Sequence, residues 1–238
     1  MKLSELRHHQ SISGRAEQIW GWDTPAGRER ARRRADLLIH LSHLQKGKKA
    51  LELGCGTGVF STYFSATGAE LIPIDICDEM LDQVRRKLPS VPAKRDDAEN
   101  LSFPDGSFDV VVGSSVLHHL DVEKSLKEVW RVLKPGGILA LAEPNMMKPQ
   151  VMIMKNVPWI KRAMGDSEDE TAFFRWPLRT QLKKIGFINI QVTPFDFLHP
   201  LVPTVAIPLV KRMGEVFEKI PLIREIAGSL LIGAQKPS

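Results

Sequence analysis

The chain has 238 residues, of which 43% are hydrophobic and 26% charged, close to the average of soluble globular proteins. This composition excludes a disordered tail, a collagen-like fibre and a polytopic membrane protein. Two cysteines, Cys55 and Cys77, are too few for a disulfide framework, so a reducing, cytoplasmic environment is expected. The first ten residues contain no continuous apolar run, and no secretory signal is expected.

The net charge of +5 is unevenly distributed along the chain. Residues 1–50 carry 11 Lys and Arg against 5 Asp and Glu, and the other 188 residues carry 22 against 23. A basic protein invites comparison with nucleic-acid binders. Here the excess belongs to an N-terminal segment, and the body of the chain is nearly neutral.

The basic segment contains a predicted helix over residues 26–44. Leu37, Leu38, Leu41 and Leu44 fall on one helical face. Thr24 and Pro25, directly before it, are residues that typically begin a helix. Residues 1–48 are therefore predicted to be an N-terminal helical segment, separate from a domain over residues 49–238.

From residue 49 onward, predicted strands and helices alternate. This βαβ alternation is typical of a doubly wound parallel sheet, and the continuous apolar run of the fourth strand indicates burial on both faces. The predicted strands are Lys49–Leu53, Glu70–Asp75, Val91–Lys94, Phe108–Gly113 and Gly137–Glu143, and the helices are Val59–Ala66, Asp78–Leu88 and Val122–Leu133, with Pro135-Gly136-Gly137 as the stop of the last helix.

The alternation is interrupted twice after residue 144. Residues 145–175 and 196–226 are predicted insertions, the first rich in methionine and the second punctuated by prolines. Between and after them come a predicted helix at Arg175–Ile185, a strand at Phe187–Val192 and a final strand at Ser229–Gln235.

A glycine-rich turn follows the first predicted strand. Gly54, Gly56 and Gly58 are spaced G-x-G-x-G, which lets the backbone approach a ligand at the start of a helix. The dinucleotide fingerprint G-x-G-x-x-G needs a glycine where Val59 stands. Together with the acidic Glu52 close to the turn, this disfavours a nicotinamide-dependent oxidoreductase.

Two acids end the next two strands. Asp75 follows Gly54 by 21 residues, a spacing at which an acid accepts the hydroxyls of a ribose. Asp97 follows the third strand and could accept a hydrogen bond from the amine of an adenine, although Asp96 beside it leaves open which acid does so. The pattern suits adenosine attached to an amino acid.

These motifs make the sequence resemble the class I S-adenosylmethionine-dependent methyltransferases, and more narrowly their ubiquinone/menaquinone-type small-molecule group. The resemblance covers roughly residues 49–195. It implies a Rossmann-like seven-stranded sheet of order 3-2-1-4-5-7-6 with the last strand antiparallel, and S-adenosylmethionine as cofactor, with S-adenosylhomocysteine as product. The segments that carry it are LELGCGTG at 51–58, PIDIC at 73–77, DAENLSFPDGSFDVVV at 97–112, LHHL at 117–120 and EVWRVLKPGGILALAEP at 128–144.

The resemblance also implies a set of cofactor-binding residues. The turn would line the methionine and ribose, the first acid would bind the ribose, the second would meet the adenine, and the N-terminal segment would close the pocket as a lid. These residues are Glu52, Gly54, Cys55, Gly56, Gly58, Asp75, Ile76, Met80, Asp97, Ala98, Ser114, Trp20 and Arg28.

Candidates for a general base follow the fourth and fifth strands. His118 and His119 come after the fourth strand and Glu143 ends the fifth, at the edge where the methyl group would point. Histidine titrates near neutrality and suits this role. Each of the three residues could equally organise the loop, and this alternative stays open.

The sequence narrows the methyl acceptor without identifying it. The Asp/Asn-Pro-Pro-Tyr motif of DNA-amino methyltransferases is absent and no metal-site pattern is found, so neither DNA nor a metal is expected. The apolar insertions predict a small hydrophobic or lipid-linked acceptor and a peripheral membrane contact, or else an ordinary cap or dimer contact; RNA or protein acceptors remain the alternative. The apolar residues of the first insertion and the helix after it are Met146, Met147, Met152, Met154, Trp159, Met164, Phe173, Phe174 and Trp176.

Overall fold

A seven-stranded sheet organises the residues that the computed structural model describes, which are Gln10, 12–157 and 171–238. Helices cover both of its faces. The strands are β1 (Lys49–Leu53), β2 (Glu70–Asp75), β3 (Lys94–Arg95), β4 (Phe108–Ser114), β5 (Leu133–Pro144), β6 (Ile188–Phe195) and β7 (Ser229–Gln235). The helices in the described residues are α1 (Ala16–Ile19), α2 (Pro25–Ser42), α3 (Val59–Ser65), α4 (Asp78–Lys87), α5 (Val122–Val132), α6 (Pro149–Asn156), α7 (Arg175–Ile185), α8 (Ile207–Phe217) and α9 (Pro221–Arg224).

The strand order is β3-β2-β1-β4-β5-β7-β6. The first five strands in this order pair in parallel, and β7 runs antiparallel to both β5 and β6. This confirms the predicted doubly wound sheet and its predicted order. The strand order reverses between β1 and β4, since β2 and β3 follow on one side of β1 and β4 and β5 on the other. The carboxyl ends of these two parallel strands therefore border a crevice, the usual ligand site of such sheets.

Alternate residues of the central strands form the two halves of the core. In β5, Leu139 and Leu141 face α5 and α7, whereas Ala140 and Ala142 face α2 and α3. The small side chains on the second face let α2 approach the sheet closely. At Gly233 of β7, an added Cβ would lie 2.9 Å from the Leu41 side chain, a contact that only glycine avoids.

Helix α2 begins and ends as its sequence indicates. The Thr24 side chain accepts a hydrogen bond from the Gly27 amide at 2.9 Å, Pro25 occupies the first turn, and His43 ends the helix in the left-handed conformation. Residues 26–44 were predicted, so the observed helix agrees to within two residues. The predicted helix Arg175–Ile185 is α7 itself, and it ends at Gly186 with φ +111°.

Three strand boundaries differ from the prediction because pairing with neighbouring strands decides them. The chain before β3 is held in a turn by hydrogen bonds from Val91 and Ala93, so only Lys94 and Arg95 pair with β2. Helix α5 ends at Val132, and β5 begins at Leu133 because this residue already pairs with Phe108. The segment 135–137 therefore lies inside a strand. Strand β6 runs on to Phe195 alongside β7.

The two predicted insertions carry helices at one end of the sheet. Helix α6 belongs to the first insertion and helices α8 and α9 to the second. The predictions for Trp159 and Met164 lie outside the described residues. None of the helices within 12–157 and 171–238 combines the length and the apolar character needed to cross a membrane.

Candidate functional site

A cavity of about 380 Å³ lies at the carboxyl ends of β1, β2, β4 and β5, within the size range of small-molecule sites. The N-terminal segment, α6 and the chain after β6 form its other walls. The predicted site residues that line it are Trp20, Gly54, Cys55, Gly56, Asp75, Ile76, Asp97, Ala98, Ser114, His118 and His119. Glu52, Gly58, Met80, Glu143 and Arg28 are not part of the lining.

The glycine turn between β1 and α3 adopts a conformation that requires glycine. Gly54 and Gly56 have φ values of +59° and +51°, in the left-handed region that other residues rarely occupy. A Cβ on Gly54 would come within 2.4 Å of the Val116 side chain. The turn therefore presents bare backbone to the cavity.

The carboxylate of Asp75 joins the glycine turn to the end of β2. Its Oδ2 accepts the Gly56 amide and its Oδ1 accepts the Cys77 amide, both at 2.9 Å. Burial raises the pKa of Asp75, and these backbone hydrogen bonds counteract part of the rise. The Ile76 amide also acts on this carboxylate, and since a carboxylate offers about four lone-pair sites, it keeps acceptor capacity toward the cavity.

Two neighbours of Asp75 are buried in the same turn. Burial, followed by the charge of Asp75, raises the pKa of Glu52 to about 8, and its Oε2 has no hydrogen-bond partner in the described part of the chain. Burial also raises the pKa of the Cys55 thiol well above its ordinary value. The thiol is therefore protonated at neutral pH and lacks the thiolate character that a nucleophile needs.

Asp96 and Asp97 both line the cavity beyond β3, but their side chains have different partners. The Asp96 carboxylate accepts hydrogen bonds from the amide and hydroxyl of Ser102 and from the Asp97 amide. Asp97 accepts the Glu99 amide through Oδ1 at 2.9 Å. The hydrogen bonds of Asp96 thus stabilise the loop 96–102.

The N-terminal segment lies against the glycine turn. A Cβ on Gly56 would be 3.5 Å from the Trp20 ring, and Trp20 also packs on the buried Met80 and Cys77 of the neighbouring wall. The Arg28 guanidinium is exposed and donates to the Asp23 carbonyl oxygen. Arg30, two residues later on α2, points into the cavity instead, because successive helical residues are rotated by about 100°.

His118 and Glu143 form a buried pair beside the cavity. His118 Nδ1 lies 2.7 Å from Glu143 Oε2, and Glu143 Oε1 accepts the amides of Val116 and Leu117. Burial and His119 lower the pKa of His118 to about 4. Burial raises the pKa of Glu143, but the hydrogen bond and charge of His118 and the amides of Leu117 and Val116 together outweigh it, and the net pKa is lowered. The ring is neutral, with its proton on Nδ1 and a lone pair on Nε2.

His119 occupies a different position from its neighbour. The two ring centroids are 4.0 Å apart and the ring planes are tilted by 38°. Burial raises the pKa of Asp75, and the charge of His119 is one of the influences that oppose this rise. His119 therefore lies toward the ribose-binding side expected for Asp75, and His118 lies toward Glu143.

Opposite the glycine turn, the cavity wall is basic. Arg30 Nε donates to Asp196 Oδ2 at 2.9 Å, and Arg34 Nη2 lies 3.7 Å from the same oxygen. Burial and Arg30 lower the pKa of Arg34 to about 10, so the guanidinium stays charged at neutral pH. Lys148 and His199 complete this wall.

Comparison with known proteins identifies the family. Residues 51–141 match the family described as a methyltransferase domain. A demethylmenaquinone methyltransferase of Staphylococcus aureus is 32% identical over 177 residues, which cover 64% of this chain and 73% of that protein. The chain belongs to the class I S-adenosylmethionine-dependent methyltransferases.

Two further comparisons agree with this assignment. An uncharacterized methyltransferase-like protein of Schizosaccharomyces pombe is 32% identical over 62% of this chain, and the chain spans 57% of that protein's length. A Thermotoga maritima structure described as a S-adenosylmethionine-dependent methyltransferase, possible histamine N-methyltransferase, has a TM-score of 0.68 at 20% identity, covering 96% of this chain and 99% of that one. The last comparison concerns the fold alone.

The residues of this methyltransferase fit S-adenosylmethionine, the cofactor of its family. The cavity offers a carboxylate with spare acceptor sites at Asp75, a second acid at Asp97, and the bare backbone of Gly54 and Gly56. The unpartnered Glu52 Oε2 adds buried acceptor capacity next to the turn. Acceptors of this kind suit the hydroxyls and amines of an adenosyl amino acid.

Sequence reasoning missed most of the basic wall of the methyltransferase cavity. Arg30 and Arg34 are four residues apart on α2, and this spacing could have indicated one common face. Lys148 and His199 carry no motif, because each lies in an insertion whose path the sequence does not determine. Ser115, with φ +58°, and Ser229 were also missed; both accept hydrogen bonds from Arg34.

Proposed function

We propose that the protein transfers the methyl group of S-adenosylmethionine to a small hydrophobic or lipid-linked acceptor. The observation that carries this proposal is the apolar part of the cavity wall. There Val151 and Met154 of α6 and Pro200 line the cavity, and Leu201, the residue after Pro200, is 79% exposed. An apolar acceptor would enter along this wall.

The cofactor would lie along the sheet edge. Asp75 would accept the ribose hydroxyls, Asp97 and Ala98 would border the adenine, and Gly54 and Gly56 would pass beneath the methionine. Trp20 would cover the turn, which makes the N-terminal segment a lid. The bound cofactor supplies a sulfonium methyl group that is already activated, so the protein's task is to align the acceptor with it.

His118 is the candidate for proton removal from the acceptor. Its Nε2 lone pair is unprotonated at neutral pH and its ring lines the cavity, while Glu143 acts as a positioning residue that fixes the ring through Nδ1. Glu143→Gln should lower kcat and alter its pH profile, with KM for S-adenosylmethionine unchanged. An unchanged pH profile would assign the pair a purely structural role.

The name of the Staphylococcus aureus relative supports an apolar acceptor. That protein is a demethylmenaquinone methyltransferase, and demethylmenaquinone is a ring that bears a long polyisoprenoid chain. The test is transfer of a labelled methyl group from S-adenosylmethionine to fractionated lipid extracts, with RNA and protein fractions as the other arms. Label in the lipid fraction supports the proposal, and label confined to RNA or protein contradicts it.

The second insertion extends this proposal to a membrane surface. Leu209, Met213 and Val216 recur at helical spacing on α8 and are 63%, 44% and 52% exposed, so this helix presents an apolar stripe to solvent. Ile207 and Phe217, on its other side, pack against the protein. Such stripes mark interaction surfaces.

An anionic lipid surface is the occupant that this stripe fits. The exposed Arg212 and Lys219 flank it, and basic residues beside an apolar helical face favour anionic headgroups. Helix α8 belongs to the same insertion as His199 and Pro200, which line the cavity, so a lipid-linked acceptor would enter from the side of this insertion.

Vesicle co-sedimentation tests the membrane contact. Replacing Leu209, Met213 and Val216 by serine should weaken binding to phosphatidylglycerol vesicles at least about tenfold, because a buried apolar side chain of this size contributes roughly 1.5–3 kcal/mol. Ile188→Ser is the matched control, since Ile188 is 45% exposed on β6, away from the stripe. No vesicle binding by the unmodified protein would contradict the proposal.

A further inference from the structure

The basic wall of the cavity holds more positive charge than its own carboxylates balance. Arg30, Arg34 and Lys148 face Asp196, and behind them the ionised Glu143 acts on Arg34. His118 and His199 both have lowered pKa values and are neutral at pH 7. Three cations thus meet two carboxylates in a partly buried site, where an unbalanced charge is costly.

The two terminal nitrogens of Arg34 already donate to the protein, and its Nε is buried without a hydrogen-bond partner among the described residues. Its Nη1 donates to the hydroxyls of Ser114 and Ser115, and its Nη2 donates to Ser229 at 2.6 Å. The side chain is only 3% exposed. Arg34 therefore ties β4, β7 and α2 together and supports the wall, and we assign ligand binding to its neighbours.

Arg30 keeps unused donors. Its Nε is bound to Asp196, and its guanidinium lies over the Trp22 ring with Cζ 5.3 Å from the centroid. In the described part of the chain neither of its two terminal nitrogens donates a hydrogen bond. Since the side chain is 15% exposed and lines the cavity, these donors are available to a ligand bound in the cavity.

Lys148 is the second source of unused donors. A Cβ added to Gly228 would lie 3.3 Å from Lys148 Nζ and 2.9 Å from the Asp196 carbonyl oxygen. Lys148 Nζ therefore lies close to the Asp196 backbone. The ammonium has neither a hydrogen bond nor an ion pair within the described residues. Burial and the charge of Arg30 lower the pKa of Lys148, as expected for two cations that share a site.

His199 adds a neutral donor to the same wall. Its Nδ1 accepts the Leu201 amide at 3.2 Å, so the proton of the neutral ring lies on Nε2, and the side-chain amide of the exposed Gln150 lies 3.3 Å from that nitrogen. Lys148 and Arg30, after burial, are the charges that lower the pKa of His199, which places the three groups close together. Two cations and one neutral donor therefore converge on one region of the cavity.

We propose that Lys148, Arg30 and His199 form a subsite for an oxyanion, a phosphate or carboxylate group carried by the methyl acceptor. This inference rests on the proposed methyl transfer, since it names the polar end of the same acceptor. An oxyanion supplies the missing negative charge and accepts from all three donors, and charge-assisted hydrogen bonds of this kind are strong. The acceptor is then amphiphilic, with its apolar part against Val151 and Met154.

The cofactor's own carboxylate is the competing occupant, and the experiment separates the two. The protein is first saturated with S-adenosylhomocysteine, which fills the cofactor site, and the dissociation constant of that step is recorded. Inorganic phosphate, acetate and dihexanoyl phosphatidate are then titrated by calorimetry at constant ionic strength. Lys148→Met is compared with Lys148→Arg and with Lys183→Met, an exposed lysine on α7.

At least one oxyanion should bind the saturated protein, and Lys148→Met should weaken it about tenfold, the effect of losing one charge-assisted hydrogen bond. Lys148→Arg should restore most of the affinity, and Lys183→Met should change nothing. Tighter binding of phosphate or acetate identifies the group, and still tighter binding of dihexanoyl phosphatidate identifies a lipid headgroup.

The proposal is overturned by absent oxyanion binding to the saturated protein, or by a Lys148→Met effect on S-adenosylhomocysteine instead of on the oxyanion. Intact S-adenosylhomocysteine binding by Lys148→Met shows that the variant is folded. Failure of the unmodified protein to bind S-adenosylhomocysteine would instead contradict the proposed methyl transfer. The oxyanion subsite and the proposed methyl transfer are therefore contradicted by different results.

Discussion

The two ends of the cavity are built by different means. At the sheet edge, Asp75 and Asp97 are held by backbone amides at most 19 residues away in the chain. On the basic wall, Arg30 and Asp196 are 166 residues apart and are joined by side chains. One end is acidic and is formed by residues close together in the sequence, and the other is basic and is formed by residues from distant segments.

This difference in construction corresponds to two tasks, binding a cofactor that many related proteins share and recognising an acceptor that is specific to this protein. A cofactor site that depends on a turn and a strand end can be kept in many proteins, because its geometry follows from the sheet. A wall to which insertions contribute can change its charge and shape without disturbing that sheet. Under the proposed function, the acidic end would hold the cofactor that the family shares, and the basic end would hold the acceptor of this protein.

The largest expected effect concerns the acidic end. Asp75→Ala should weaken S-adenosylhomocysteine binding about 1,000-fold, roughly 4 kcal/mol, because two charge-assisted hydrogen bonds to the ribose are lost. Calorimetry measures this, and Asp78→Ala, an exposed acid three residues later, is the control. An affinity within about tenfold of the unmodified protein would place the ribose elsewhere.

A smaller effect is expected where the basic end meets the sheet. Arg34→Lys should lower the free energy of unfolding by about 3 kcal/mol, since an ammonium cannot reproduce the guanidinium fork that spans Ser114, Ser115 and Ser229. Urea denaturation measures this change. Arg32→Lys, on the same helix but 66% exposed, should shift stability by less than about 0.5 kcal/mol. Equal effects of the two substitutions would contradict the assigned role of Arg34.

The smallest expected effect concerns the His118–Glu143 pair and is measured as a change in the free energy of unfolding with pH. The fold lowers the pKa of His118 from 6.5 to about 4, so the unfolded chain takes up a proton first as pH falls. This histidine should therefore make the protein about 2 kcal/mol less stable at pH 5 than at pH 7, with the loss complete near pH 4.

His118→Asn removes the titrating ring but leaves an N–H donor for Glu143. The drop in unfolding free energy between pH 7 and pH 5 should be about 2 kcal/mol smaller in this variant than in the unmodified protein. Denaturant titrations at the two pH values measure both drops. Identical drops would show that folding does not lower the pKa of His118.

Much of the fold follows from the sequence pattern. Strands β1, β2 and β7 and helix α7 have the predicted bounds, because each couples a periodic apolar run to a strong end signal such as Gly186. Strands β3, β5 and β6 differ because hydrogen bonds from neighbouring strands set their limits, and these partners are distant in the sequence.

The sequence by itself determined the glycine turn and the acids at the strand ends, since these features depend on local spacing, whereas the sheet order was implied by the resemblance to the methyltransferase family. The tertiary structure alone decided that Arg28 lies outside the cavity while Arg30 and Lys148 line it. Which face of α2 meets the cavity, and where the insertions place Lys148 and His199, depend on packing between segments more than 100 residues apart in the chain. No local pattern encodes such contacts.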